Sequence, residues 1–199
     1  MKYLTLGSLV ATLMLVGAGC ASSTPKASDI TFTYPDVVEE IKTWTFPGAL
    51  PDEQIANKQV RITTAKGDIV FELFDDTAPL TVSNFVYLTT GGYYTGITFH
   101  RREEGFVIQG GDPNGNGTGG PGYEFEDELS DGYTYERGIV AMANRGPATN
   151  GSQFFIMLAD TPLPKAYTVF GRVTEGMEVV DLIAVGDAMT SVVVEELAL

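Results

Sequence analysis

Between Gly110 and Gly122 the chain reads GGDPNGNGTGGPG, and seven of these thirteen residues are glycine. Two kinds of chemistry use such a loop. Gly115, Gly117 and Gly120 have the G-x-G-x-x-G spacing that seats a dinucleotide pyrophosphate at a helix N-terminus. Asp112, Asn114, Asn116 and Gly117 spell D-x-N-x-N-G, the opening of a calcium loop. Neither pattern completes itself. Pro121 and Gly122 are followed by YEFEDE, which starts no amphipathic helix, and its acids Glu124, Glu126, Asp127 and Glu128 would repel a phosphate. A calcium loop starting at Asp112 needs a glutamate at its last position, where this chain has Tyr123. The plainer reading is a surface loop whose glycines lie flat against neighbouring backbone. A small extracytoplasmic cation-binding protein, resting on Asp112, is the sharp alternative.

Other reactive groups are scarce. His100 is the only histidine and Cys20 the only cysteine, so no His/Cys zinc site can be assembled and no metal is expected. A triad around Ser152 would have to recruit that single His100, and NGSQF lacks the glycine two residues after serine that a nucleophile elbow uses. The carboxylates of EFEDEL read as a solvated face rather than an acid/base pair. The formal charge of −14 argues against nucleic acid as a partner. This inventory points away from covalent, metal and nucleotide chemistry, and implies no cofactor.

The elements that must hold these residues become regular from Gln59. QVRITTAKGDIVFELF gives two alternating runs around Lys66-Gly67-Asp68, a β-hairpin. APLTVSNFVYLTTGG places Val82, Phe85, Val86 and Thr89 on one helical face, with Pro79 in the first turn and Gly91 just past the end. Short strands are expected over Ile97 to Arg101, Phe106 to Gln109, Gly138 to Ala143, Gln153 to Met157 and Thr168 to Val173. GMEVVDLIAVG predicts a second short helix with Val179, Val180 and Ile183 inward, and SVVVEEL a closing strand. Many short strands with two amphipathic helices imply a mainly β protein, a compact antiparallel barrel plugged by helices. Strand count alone does not separate a barrel from a sandwich.

The N-terminus is of different composition. Lys2 precedes the apolar run Leu4 to Val16, which ends in GAGC at Cys20: a charged region, an apolar region and a small-residue cleavage site. Thr5, Gly7, Ser8 and Thr12 interrupt the run and Gly17 follows it, so it is too short to span a membrane. The pattern resembles a bacterial lipoprotein signal, which implies that Cys20 receives a lipid and becomes the mature N-terminus, although Gly17 stands where that family usually carries leucine. Two or more acyl chains anchor stably where one does not. Residues 1–19 are therefore expected to be a signal peptide and 20–29 a flexible lipid-anchored tether. Residues 30–58, with Trp44, Phe46, Pro47 and Pro51, are expected to form an extension that partly packs on the main domain, with a short helix near Val37 to Thr43. Residues 59–199 are the expected folded domain. Cleavage would remove Lys2 and no acid, taking the formal charge from −14 to −15.

Three stretches together resemble the cyclophilins, which are peptidyl-prolyl cis–trans isomerases: FHRREEGFVIQGGDPNGNGTGGPGYEFEDE (Phe99 to Glu128), RGIVAMANRGPATNGSQFFIML (Arg137 to Leu158) and YTVFGRV (Tyr167 to Val173). The resemblance runs from about Gln59 to Leu197. It implies a closed eight-stranded antiparallel barrel capped by two α-helices, in which the glycine loop shapes one wall of a peptide cleft. It implies Arg101, Gln109, Phe106 and Asn144 as the catalytic set, with Asn144 acting through its main chain. Val107, Gln153, Phe155, Leu163 and Tyr167 would bind the substrate, Phe106, Val107, Phe155 and Leu163 forming a pocket for the proline ring. His100 reads as structural. The implied partners are Xaa-Pro segments of unfolded or flexible clients and a bacterial membrane through the lipid on Cys20, with the chain a monomer.

Such a reaction explains the missing nucleophile. No bond is broken; the barrier of about 18–20 kcal/mol is the loss of amide resonance in a twisted peptide. A permanently charged, donor-only guanidinium suits the lone pair that this twist leaves on nitrogen. The chain departs from the family in TPLPKAYTVFG, one residue shorter than usual and without its tryptophan, which implies weak cyclosporin binding. Arg145, where relatives often have alanine, would favour acidic residues near the substrate. The expected role is to assist folding of extracytoplasmic proteins; the alternative is a non-catalytic prolyl-peptide-binding chaperone module using the same cleft.

Overall fold

The hairpin around Lys66-Gly67-Asp68 starts the sheet. The computed structural model describes residues 43–130 and 132–197. The expected signal peptide, the tether, Cys20 and all but the last residue of the expected helix near Val37 to Thr43 lie outside them. α1 (Asp52–Ile55) is a single turn that buries only Ile55. β1 (Lys58–Thr64) and β2 (Gly67–Leu73) then pair antiparallel, from Gln59 opposite Glu72 to Thr64 opposite Gly67. Along β1, Val60, Ile62 and Thr64 are buried and the residues between them are part-exposed, the period-two pattern of a strand with one covered face.

α2 (Pro79–Thr90) has Pro79 in its first turn and Gly91 just past its end. Its N-cap residue, Ala78, offers no side-chain acceptor. Glu128 supplies one from a distant loop: Oε1 accepts the Leu80 N–H at 3.0 Å, and Oε2 accepts the Thr81 N–H at 2.9 Å and the Thr81 hydroxyl at 2.7 Å. A carboxylate on otherwise orphaned N–H groups at the positive end of a helix contributes about 0.5–2 kcal/mol. The reading of EFEDEL as a solvated face is corrected here. Glu124 and Glu126 are exposed, but Glu128 caps α2, and Asp127 accepts from Asn150 Nδ2 and from the Ala148 N–H, each at 2.8 Å.

β3 (Arg101–Glu103), β4 (Val107–Gly110), β5 (Ile139–Met142), β6 (Phe154–Met157), β7 (Val169–Glu175), α3 (Met177–Leu182) and β8 (Ser191–Glu196) follow. Among the described residues the eight strands form one antiparallel sheet in the order β3-β4-β6-β5-β7-β2-β1-β8. The expected closure is not what forms: β3 and β8 end the sheet without a ladder between them, leaving a half-barrel. Among the described residues, the strand-like pairing across the seam is the isolated bridge of Thr98 with Ala188. Irregular chain takes the place of strands there. The Gly96 N–H donates to the Met189 carbonyl at 2.8 Å, Met189 N–H to Ile97 at 2.9 Å, and Phe99 N–H to Asp187 at 2.9 Å. This is also why the strand expected over Ile97 to Arg101 begins only at its last residue.

Alternation sorts the central strands between two apolar clusters. Phe154 and Ile156 of β6, with Val140 and Met142 of β5, enter the main core beneath α2 and α3. There Phe85 of α2 meets Tyr94 at 4.7 Å and Phe170 at 5.2 Å between ring centroids. Phe155 and Met157, with Ile139 and Ala141, face the other way and join Val107, Val169 and Tyr135. Phe106, Leu163 and Tyr167 lie part-buried against this second cluster. It forms the floor of a cleft.

Candidate active site

Strand register assembles the site. Arg101 on β3 lies opposite Gln109 on β4, Gln109 opposite Phe155 on β6, and Phe155 opposite Ala141 on β5. Directly opposed residues share a face. One row across four strands therefore runs from a guanidinium through a carboxamide to an aromatic ring. The next row on that face carries Glu103, Val107 and Met157.

Arg101 is clamped from two sides. Its Nη1 donates to Gln109 Oε1 at 2.9 Å, while Nε and Nη2 donate to Glu103 Oε1 at 3.0 and 2.5 Å. Its guanidinium carbon sits 5.8 Å from the centroid of the Phe106 ring, in cation–π range. Gln109 Nε2 donates onward to Gln153 Oε1 at 2.9 Å, and Gln153 Nε2 to the carbonyls of Gly117 and Gly119 at 3.0 and 2.9 Å. The glycine loop is thus the far end of a chain of hydrogen bonds that begins at Arg101.

Asp112 folds that loop. Only 1% exposed, its carboxylate accepts the N–H groups of Asn114 and Asn116 at 2.8 and 2.9 Å and that of Gly117. Burial pushes its pKa up, but the three backbone donors and nearby His100 outweigh burial and hold it below the usual value. The acid that opens the calcium-like pattern therefore serves its own backbone. Gly111, at φ +84°, and Gly119 are fixed by close approach: a β-carbon would strike the Ser152 carbonyl at the first and the Asp112 carboxylate at the second. Among the described residues no group of three His, Cys, Asp or Glu side chains is placed to hold a metal ion.

Eight of the nine residues singled out for this site line one cleft of about 230 Å³: Arg101, Phe106, Val107, Gln109, Asn144, Phe155, Leu163 and Tyr167, joined by Ala143. Val107 is buried to 1% and Phe155 to 6%, so these two make the floor. Tyr167 stands edge-on to Phe155 at 5.5 Å. Gln153 lies behind, bound to Gln109. The Asn144 side chain is tied to neighbouring chain, Nδ2 donating to the Ala166 carbonyl at 2.7 Å and to Asp127 Oδ1 at 3.3 Å. His100 contributes packing: both ring nitrogens are buried without a hydrogen-bond partner among the described residues. Burial lowers its pKa, with Asp112 pulling it up and Arg101 pushing it down.

A second pocket of about 640 Å³, lined largely by polar side chains and glycines, shares Gln109, Ala143 and Asn144 with the first and continues along the glycine loop. Arg145 lines it, with Nη2 paired to Glu124 Oε1 at 2.5 Å. Sequence reasoning also missed Glu103. The signal was present as an acid two residues from Arg101, but only the strand register makes it a partner.

Comparison with known proteins agrees with this geometry. Residues 59–197 match the family model of cyclophilin-type peptidyl-prolyl cis–trans isomerases. A peptidyl-prolyl cis–trans isomerase of Helicobacter pylori is 44% identical over 162 residues, covering 79% of this chain and 97% of that one. Peptidyl-prolyl cis–trans isomerase B of Bacillus subtilis is 49% identical over 129 residues, covering 64% and 90%. A crystal structure of a Cryptosporidium parvum cyclophilin, determined in the presence of the dipeptide Ala-Pro, superposes with a TM-score of 0.65 at 37% identity, covering 69% of this chain and 98% of that one. The chain belongs to the cyclophilin-type peptidyl-prolyl cis–trans isomerases, and it is an enzyme of that class.

Proposed function

We propose that this isomerase assists the folding of proteins outside the cytoplasm, held at a bacterial membrane by a lipid on Cys20 and acting as a monomer on Xaa-Pro segments of unfolded or flexible clients. The observation that carries the chemistry is Arg101, clamped by Glu103 and Gln109 above an apolar slot. The proline ring enters the slot between Phe106, Phe155 and Leu163, so the ring is held while the preceding carbonyl swings. Glu103 and Gln109 take up three of the five guanidinium N–H groups. Two remain to meet the amide. In the twisted state the prolyl nitrogen is pyramidal and its lone pair is an acceptor, which it is not in the planar amide. A donor aimed at that nitrogen therefore stabilises the transition state more than either isomer. The uncatalysed rotation takes roughly 10–100 s. A 10⁵-fold acceleration needs about 7 kcal/mol of such preferential stabilisation. The Ala-Pro dipeptide studied with the Cryptosporidium parvum relative supports prolyl segments as the ligand class.

The location rests on the N-terminal sequence, Lys2 followed by Leu4 to Val16 and the small residues before Cys20. Its test is incorporation of a labelled fatty acid by bacteria expressing the full chain, followed by fractionation. The expected result is label in the mature protein and in the membrane fraction, both lost in Cys20→Ser. An unlabelled chain that stays in the cytoplasm would overturn the location and leave the isomerase chemistry untouched.

A further inference from the structure

Residues 43–57 precede the first strand and lie outside the span that the family model matches, yet they fall in the same compact unit, Ile41–Leu199. Trp44, Phe46 and Leu50 pack on the main core and Ile55 is buried in it. The Phe46 ring stacks on Phe125 at 4.9 Å between centroids, with planes 6° apart, and leans on Tyr123 at 5.7 Å. Trp44 stands edge-on to Tyr87 at 5.6 Å and to Tyr93 at 5.3 Å. The Leu50 N–H donates to Ser83 Oγ at 2.9 Å, which fixes the segment against α2.

The residues under this segment are the ones that brace the polar pocket. Phe125 forms an isolated two-way bridge with Asn150, N–H to carbonyl at 3.0 and 3.3 Å. The Tyr93 hydroxyl meets Ser152 Oγ at 3.0 Å. The Tyr123 hydroxyl donates to Asn84 Oδ1 at 2.7 Å, and Asn84 Nδ2 to the Gly151 carbonyl at 2.8 Å. All three routes converge on residues 150–152, immediately before the Gln153 that is bonded to Gln109. Tyr123, Gly151 and Ser152 themselves line the pocket.

We propose that residues 43–55 are a strap, in which Phe46 and Trp44 are positioning residues that hold the outer wall of the polar pocket and thereby set affinity for the client residues flanking the Xaa-Pro unit. The proline slot rests on the second apolar cluster, which contains no strap residue. A loosened wall therefore weakens the grip on a longer peptide and leaves the slot intact. This inference uses the prolyl-binding reading of the cleft and is independent of the lipid anchor.

The test is calorimetric titration of the full-length chain, wild type and Phe46→Ala, with the dipeptide Ala-Pro and with a hexapeptide carrying Ala-Pro at its centre. Loss of one aromatic stacking partner should weaken hexapeptide binding about fivefold and leave dipeptide binding within about twofold. Equal losses for the two ligands, or no loss, would overturn the proposal. Should Phe46→Ala fail to fold, Phe46→Leu keeps the apolar bulk without the stacked ring and must show the same split in direction. A wild-type chain that bound neither peptide would contradict the slot assignment, and the strap's role with it.

Discussion

Glu103 and Arg101, two residues apart on β3, face the same side of the sheet, and one carboxylate oxygen accepts both Nε and Nη2 of the guanidinium. Gln109 holds Nη1 from the neighbouring strand. The fork is therefore oriented before any substrate arrives, and orientation is what a donor aimed at a transient lone pair requires.

Removing that clamp should show in rate rather than in stability. The side chains of Arg101 and Glu103 are 42% and 51% exposed, and exposed pairs contribute at most about 1 kcal/mol to folding. Glu103→Gln keeps the shape and removes the charge. The expected outcome is a fall in kcat of about three- to tenfold with KM and Tm little changed, read from protease-coupled isomerisation and a thermal melt. Unchanged kcat would mean that Gln109 and Phe106 suffice to orient Arg101.

Glu128 is expected to matter for stability alone. It satisfies two backbone N–H groups and one hydroxyl at the start of α2, so Glu128→Ala should cost about 1–2 kcal/mol in urea unfolding. Glu128→Gln, which keeps acceptor capacity on one oxygen and loses the charge, should cost less. A loss below about 0.5 kcal/mol for the alanine variant would place it among ordinary surface substitutions and remove the capping role.

Stability should also fall in mild acid through one residue. Burial lowers the His100 pKa below 6.5. The unfolded chain then binds the proton before the folded one does, so stability present above pH 6.5 is lost as pH falls from there toward the folded pKa. Asp112, whose pKa is also lowered, contributes stability above 3.8 that is lost only further down, as pH falls through its folded value. His100 is the only histidine. Tm should decline as pH falls below 6.5 toward the folded pKa, and His100→Gln should flatten that decline. An undiminished decline in the variant would assign the effect elsewhere.

What sequence could reveal depended on how local the cause was. The β1–β2 hairpin and α2 with its Pro79 and Gly91 were legible because period and punctuation lie within the segment. The cap on α2 was not, since Glu128 arrives from 48 residues away. The strand expected over Ile97 to Arg101 failed because Ile97 and Phe99 bond to irregular chain around Asp187 and Met189, a tertiary choice that no local pattern carries. The same seam leaves the barrel open. At the site, the cleft residues came from motif resemblance, and the register of β3, β4 and β6 brings Arg101, Gln109, Val107 and Phe155 together. The Phe46 strap became visible only when Tyr123 and Phe125, distant in sequence, were in place. The pairing of Arg145 with Glu124, 21 residues away, was likewise not legible in the sequence.

The most direct measurement is isomerisation of an Xaa-Pro peptide by NMR exchange, comparing wild type with Arg101→Ala while monitoring Ala-Pro binding and Tm. If a clamped guanidinium stabilises the twisted amide, kcat/KM should fall about 10²–10³-fold, as for loss of a key transition-state donor, with the dipeptide still bound and the fold unmoved. Wild-type kcat/KM in Arg101→Ala would contradict the account and leave a cleft that binds prolyl peptides without using this residue to turn them.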